Sequence, residues 1–171
     1  QVSAAVAMVR LNTTGVSQAE RSLAFGEFAY TLGAMSALST PVLSVTGLSV
    51  RVGDGFVLSG DFAFQEDAAT GEMRVLAANA SALMAAGDFQ AGVANAAVAL
   101  VFSDDATHGG VLLEAAGSAN VSLGAAAELS ATSASVSWNS TDTDVSAKAI
   151  TVAGQSYTFG SLNKGLQQVA V

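Results

Sequence analysis

Carboxylates are the side chains of this 171-residue chain whose spacing comes nearest to chemistry. Asp104 and Asp105 are adjacent, and Asp142 and Asp144 alternate within Asn139-Ser140-Thr141-Asp142-Thr143-Asp144. Acidic loops of this kind supply oxygen ligands, of which calcium takes about six to eight. Calcium is therefore the one cofactor the sequence suggests, with these four aspartates as its candidate ligands. Neither segment completes an EF-hand loop or a nonapeptide calcium repeat, so solvated turns are the plainer reading. His108, the single histidine, sits in a Gly-flanked loop beside Asp104 and Asp105. A lone histidine gives no basis for a zinc centre. No Gly-x-Ser-x-Gly elbow accompanies it to suggest a hydrolase. Gly53-Asp54-Gly55 lacks the Gly-Lys-Ser/Thr continuation of a phosphate loop. The chain reads as a protein without catalytic function.

Four Asn-x-Ser/Thr sequons occur, at Asn12, Asn79, Asn120 and Asn139. Asn12 and Asn139 fall in turn-like clusters, where a glycan has room, and are the glycosylation candidates. Asn79 and Asn120 lie inside apolar runs and are expected to be partly buried.

Composition narrows the partners. The net charge is −8, and the six basic residues are scattered. Nucleic-acid affinity needs clustered Lys and Arg, so nucleic acid is excluded as a partner. Charged residues make up 12%, about half the usual share, which leaves Ser, Thr, Asn and Gly to solvate the surface. The absence of cysteine excludes disulfides and thiolate metal sites. No run reaches 18 apolar residues, so no transmembrane helix is expected. Residues 1–8 lack the basic start of a signal peptide, and the missing initiator Met suggests a mature or internal fragment.

The elements that must position these residues read as strands. Residues 1–11 look like the end of a strand, and Gly26-Glu27 like the turn of a hairpin. Residues 42–52 alternate, with a slip at Gly47 that marks a bulge. Strands follow at 56–65, 72–80, 89–102 and 111–116. Residues 121–138 read as one alternating stretch, and 145–152 pairs with 156–159 across Ala153-Gly154-Gln155. Asn79, Asn95 and Asn120 recur in Ala-rich surroundings and suggest stacked bends. A helical reading of the Ala-rich windows conflicts with 17 glycines and abundant Val, Ser and Thr. The fold class is all-β: long, curled, mostly antiparallel strands in an elongated, sandwich-like or solenoid-like unit. A parallel β-solenoid is the alternative.

One long-range pattern organises the chain. Residues 1–35 against 128–162, at an offset of 127, give nine identities in 35, including Asn12/Asn139, Thr14/Thr141, Tyr30/Tyr157 and Gly33/Gly160. Self-similarity at a fixed period is the mark of a repeat architecture. It divides the chain into 1–41, the end of one repeat, and 42–171, a complete one, with Pro41 at the boundary. The acidic pair Asp142/Asp144 aligns with Gly15 and Ser17 and is not repeated.

The runs VTGLSVRVGDGFVLSGDFAFQ (45–65), MRVLAANASALM (73–84), ASVSWNSTDTDV (134–145) and ITVAGQSYTFG (150–160) resemble units of giant repetitive bacterial β-rich surface or secreted proteins. That resemblance implies an extended extracellular or cell-surface role and carries over no catalytic residue. The expected function is a structural module of a filament, sheath, surface layer or long adhesin, self-associating with adjacent repeats or subunits. The alternative is a carbohydrate- or surface-binding β-sandwich, calcium-assisted, with its ligand loops at 103–110 and 139–144.

Overall fold

The computed structural model describes residues 1–35, 37, 40–52, 56–103 and 109–170. These residues form strands and contain no helix. In chain order the strands are β1 (Val2–Ser3), β2 (Val6–Arg10), β3 (Arg21–Phe25), β4 (Phe28–Leu32), β5 (Val42–Val52), β6 (Phe56–Glu66) and β7 (Met73–Ala86), followed by β8 (Phe89–Ser103), β9 (Gly110–Leu123), β10 (Glu128–Asn139), β11 (Ala149–Val152), β12 (Gln155–Thr158) and β13 (Gln167–Ala170).

The large sheet is a meander in the order β1-β5-β6-β7-β8-β9-β10-β13, with β2 also on β5. It is open: β1 and β2 form one edge and β13 the other. β3–β4 and β11–β12 are separate two-stranded hairpins. Every pairing among the described residues is antiparallel. The all-β antiparallel expectation holds, and the parallel solenoid does not. From β5 to β10 each strand pairs with its predecessor across a connection of a few residues, whereas parallel neighbours need a crossover of a dozen or more.

The expected stretch 121–138 is in fact two strands. β9 ends at Leu123, Gly124 turns at φ +64°, and β10 starts at Glu128. The turn is Gly-Ala-Ala-Ala, with a single glycine as its only cue. Conversely, the strand expected over 72–80 runs on to Ala86 as β7. The turn read at Gly53-Asp54-Gly55 and most of the loop 103–110 lie outside the described residues.

A row of irregularities crosses the sheet. Register shifts fall between Val45 and Leu48, Ser59 and Asp61, Ala77 and Ala80, Ala94 and Ala97, and Ala131 and Ala134. β1 and β2 are separated at the same level, by Ala4-Ala5. Gly47 (φ +62°), Asn79 (φ +52°) and Asn95 (φ +53°) occupy the left-handed region, which Gly and Asn tolerate best. A bulge adds one residue to one strand and bends it. Two of the three asparagines read as bends therefore are bends. Asn120 is not: it sits in regular ladder, opposite Gly92 and Ser130.

Because side chains alternate with period two, the extra residues decide which face each half-strand presents. Residues opposite one another share a face. Val9, Leu43, Phe64, Val75, Leu100, Leu113 and Trp138 form one row across seven strands. Beyond the bulges, Val2, Val50, Leu58, Ala82, Val93, Ala119 and Ala131 form another. The inserted residues keep both rows on the same side. One face is thus apolar from edge to edge.

The opposite face is divided by the bulge row. On one half it is rich in Ser and Asn: Ser49, Ser59, Ser81, Ser118, Asn120 and Ser130. On the other half it is covered by β11–β12 and the segment that follows. There Ala99, Val101 and Leu112 of the sheet pack with Ile150, Phe159 and Leu162 to form the main core. A smaller cluster, Ala77, Ala80 and Ala96 with Phe62 and Val98, sits at the bulge row on the apolar face.

The row requires small residues where strands close up. A Cβ on Gly117 would lie 2.8 Å from the Ala94 carbonyl oxygen and 2.9 Å from Ala96 Cα. Backbone on both sides leaves little room to relax. Gly117→Val is expected to destabilise the chain by about 1–3 kcal/mol, the usual range for overpacking. Urea denaturation followed through Trp138 fluorescence measures it; an unchanged midpoint contradicts the close approach.

Candidate interaction surfaces

The β11–β12 hairpin is amphipathic. Ile150 and Val152 are buried on its inner face, while Thr151 and Ser156 hydrogen-bond outside at 2.9 Å. Apolar burial holds it down, and two polar contacts set its position. At its base, Lys148 Nζ pairs with Glu72, whose second oxygen accepts from Arg74 Nη2 at 3.1 Å. Arg74 Nη1 continues to Asp67 at 2.7 Å. Along its second strand, the Tyr157 hydroxyl donates to Glu114 Oε2 at 2.9 Å, and the Gly160 amide donates to the same oxygen at 3.0 Å.

These contacts shift three pKa values. Burial works against the charged form of Glu72, but hydrogen bonds and charge from Lys148 and Arg74 prevail and hold it below its ordinary 4.5. Burial likewise opposes ionisation of Asp67, and the Thr70 hydrogen bonds and Arg74 outweigh it, holding its carboxyl low. Burial, reinforced by the hydrogen bond and charge of Glu114, pushes Tyr157 up to about 12.

Asn139 anchors the chain where it leaves the sheet for this hairpin. Its Nδ2 donates to the carbonyls of Thr143 and Leu162 at 2.9 and 2.8 Å. Its Oδ1 accepts from the Thr141 amide and hydroxyl at 2.9 and 2.7 Å. The same hook recurs 127 residues earlier. Asn12 Nδ2 donates to Val16 O at 2.8 Å, and its Oδ1 accepts from the Thr14 amide and hydroxyl at 3.1 and 2.6 Å. The sequence pattern Asn-x-Thr is thus explained by folding: the threonine is needed by the asparagine. Asn12 and Asn139 are the glycosylation candidates of the sequence. They are 4% and 0% exposed, and in each the nitrogen that would carry a glycan donates into the fold. The discounted sequon residues Asn79 and Asn120 are the exposed ones.

The recurrence extends beyond the hooks. The backbone bridge Gln18–Met35 has its counterpart in Val145–Leu162, and the β3–β4 register in that of β11–β12, both shifted by 127. β2 corresponds to β10, and β13 to the start of β5. Tyr30 stands where Tyr157 stands, and Arg21 where Lys148 stands. Their surroundings differ: β11–β12 is seated on the sheet, whereas every residue of β4 is exposed.

The four candidate calcium ligands are divided by the structure. Asp142 and Asp144 are exposed, and Asp144 Oδ1 accepts from the Lys164 amide at 2.7 Å. Asp104, Asp105 and His108 lie outside the described residues. The ends of the two loops meet, since the Val111 amide donates to Ser140 Oγ at 2.9 Å. Among the described residues no group of three or more potential metal ligands converges. A groove of about 400 Å³ runs beside the seated hairpin, lined by Phe62, Val98, Tyr157, Asp61 and Gln155 among others. No helix is long and apolar enough to cross a membrane. Comparison with protein-family models, curated proteins and solved structures finds no match.

Sequence reasoning missed Glu72, Arg74 and Glu114. Arg74 and Glu114 lie within strands and Glu72 just ahead of β7, a signal only in retrospect: a charge facing a covered half-sheet needs a partner.

Stability should depend on pH at both ends. Glu72 has a depressed pKa, so its contribution is complete above 4.5 and is lost as pH falls through its lower folded value. Tyr157 has a raised pKa, so its contribution is complete below 10.0 and is lost as pH rises towards 12. Lys148→Met should flatten the acid limb and Tyr157→Phe the alkaline one in urea titrations across pH. Asn139→Ala should cost about 1–3 kcal/mol by stranding buried backbone groups, measurable in the same titration.

Proposed function

We propose that this chain is a structural repeat module of an extracellular filament, sheath, surface layer or long adhesin, in which successive copies extend one antiparallel sheet. The observation that carries the reading is the equivalence of the sheet's two edges. β1 and β2 repeat β10 at one edge, and at the other β13 pairs with β10 as the start of β5 pairs with β2, with the register shifted by one residue from the 127 period. A copy placed before β1–β2 meets the environment β9 provides for β10. A copy continuing from β13 meets the one β6 provides for β5. The unit then adds six sheet strands, β5 to β10, for each hairpin excursion. Strands lie about 4.8 Å apart, so each copy advances the sheet by about 29 Å along the hydrogen-bonding direction.

Other features support the same role. Neither edge is blocked by the charges and prolines that proteins use to prevent pairing. The apolar face leaves Leu129, Met84, Phe102 and Trp138 exposed, as expected of a surface that assembly covers. Ser, Thr and Asn solvate most of the remaining face, where Arg51 and Glu128 are among the few charges. An extracellular or cell-surface setting follows from the family resemblance of the strand sequences.

The second reading, a carbohydrate- or surface-binding module assisted by calcium, draws on the contact of Val111, which follows loop 103–110, with Ser140 of loop 139–144, and on the groove beside Tyr157. Calcium titration separates it: a rise in melting temperature with millimolar calcium, abolished by Asp142→Asn with Asp144→Asn, favours binding, and no change favours the structural role.

The array reading has its own test. Joining a second copy of residues 42–127 ahead of Gln1 restores the five strands that would precede β1–β2. The extended chain should melt higher than the 171-residue chain, because repeat stability grows with each interface. Equal or lower melting counts against continuation of the sheet.

A further inference from the structure

We propose that the β3–β4 hairpin is a clasp for the preceding copy of this sheet, seated as β11–β12 is seated here and locked by Arg21 and Tyr30. This rests on the array reading and deepens it by naming the docking surface and its occupant, a second copy of β5–β9.

The hairpin is built to cover something. Alternation and register place Arg21, Leu23, Phe28, Tyr30 and Leu32 on one face, with Ser22, Ala24, Ala29 and Thr31 on the other. The polar face is completed by the Ser22–Thr31 hydroxyl contact at 3.2 Å. Among the described residues the apolar face is largely uncovered: Phe28 is 82% exposed and Tyr30 59%, with only Leu23 half-buried. A lone two-stranded hairpin is marginal in water without packing.

The occupant follows from position-by-position correspondence with the seated hairpin. Leu23, Leu32 and Met35 stand where Ile150, Phe159 and Leu162 stand, and those three are 1% exposed in the core. The charges are complementary as well. Lys148 pairs with Glu72, and its counterpart Arg21 keeps the cation while making no ion pair among the described residues. Tyr157 donates to Glu114, and its counterpart Tyr30 keeps the hydroxyl. Gly33 matches Gly160, whose amide shares Glu114. A seat made by a preceding copy would offer the same Glu72 and Glu114. The 171-residue chain cannot offer its own seat to another molecule, because β11–β12 already fills it. The clasp therefore acts between successive copies along one polypeptide.

The extended chain with residues 42–127 joined ahead of Gln1 tests this directly, since the added segment contains no tyrosine. Tetranitromethane nitration of Tyr30 should fall at least about tenfold relative to the 171-residue chain, the effect of local opening becoming rare. Arg21→Glu should restore reactivity in the extended chain and leave it unchanged in the shorter one. Hydrogen exchange of β1 and β2 reports on the array independently. Protected β2 amides with a still-reactive Tyr30 overturn the clasp and leave the continuous sheet standing; unprotected β2 amides with a reactive Tyr30 overturn both. Should the extended chain not fold, residues 148–162 of the 171-residue chain are replaced by a copy of residues 21–35. A folded replacement whose transplanted Tyr30 has its pKa raised, the direction in which burial and Glu114 push Tyr157, supports the clasp, and loss of the folded state overturns it.

Discussion

The row of bulges is the constraint on which the rest of the sheet depends. A strand has two faces, and one inserted residue exchanges them. In β5, β7, β8 and β10 an inserted residue accompanies the bend, and the apolar side chains return to the side they left. Without that compensation Leu48 and Val50 would join the serines, and the edge-to-edge apolar face would break in the middle. The means are local and inexpensive. Gly47, Asn79 and Asn95 accept positive φ, and Gly60 and Gly117 let neighbouring backbones approach.

The bend also separates two environments on the other face. One half meets solvent through Ser and Asn. The other supports the seated hairpin and can therefore afford Glu72, Arg74 and Glu114 at covered positions. Buried charge is costly unless paired, and here each member has a hairpin or strand partner within hydrogen-bond reach. The charges contribute position more than adhesion. Apolar contact among Ala99, Val101, Leu112, Ile150, Phe159 and Leu162 supplies the attraction, and Lys148 and Tyr157 fix where the hairpin lies. The buried Asn139 hook sets the angle at which the chain departs from β10. Its counterpart at Asn12 directs β2 into the exposed hairpin in the same manner.

Sheet continuation and hairpin seating are two consequences of one periodicity. An edge strand presents unpaired backbone groups, and an uncovered amphipathic hairpin presents apolar side chains. Both deficits of residues 1–35 are ones that a preceding copy would remove. In the proposed array, backbone hydrogen bonds join the copies along the sheet, and each clasp crosses the join on one face. Load along the array, across the strands, would then be shared between ladder and clasp.

Much of this was legible in the residues. Alternation and turn glycines indicated antiparallel strands, the slip at Gly47 marked a bulge, and the identities at offset 127 picked out the recurring hook and hairpin. Asn12/Asn139 and Tyr30/Tyr157 stood out by recurrence before any contact was known. Their roles were not legible. Asn-x-Thr in a turn looks the same whether it faces solvent or closes a buried hook, and only the Leu162 carbonyl, 23 residues away, distinguishes them. The turn at Gly124 was hidden because alanines on either side suit a strand as well as a loop. What the sequence alone determined is what depends on near neighbours: strand character, bends, hairpins and period. Tertiary structure decided the partners of Glu72 and Glu114, which lie 76 and 43 residues from Lys148 and Tyr157. It also decided which of two equivalent hairpins is seated. Those choices depend on strand order and on which face is covered, and such long-range pairings leave no local trace in the chain.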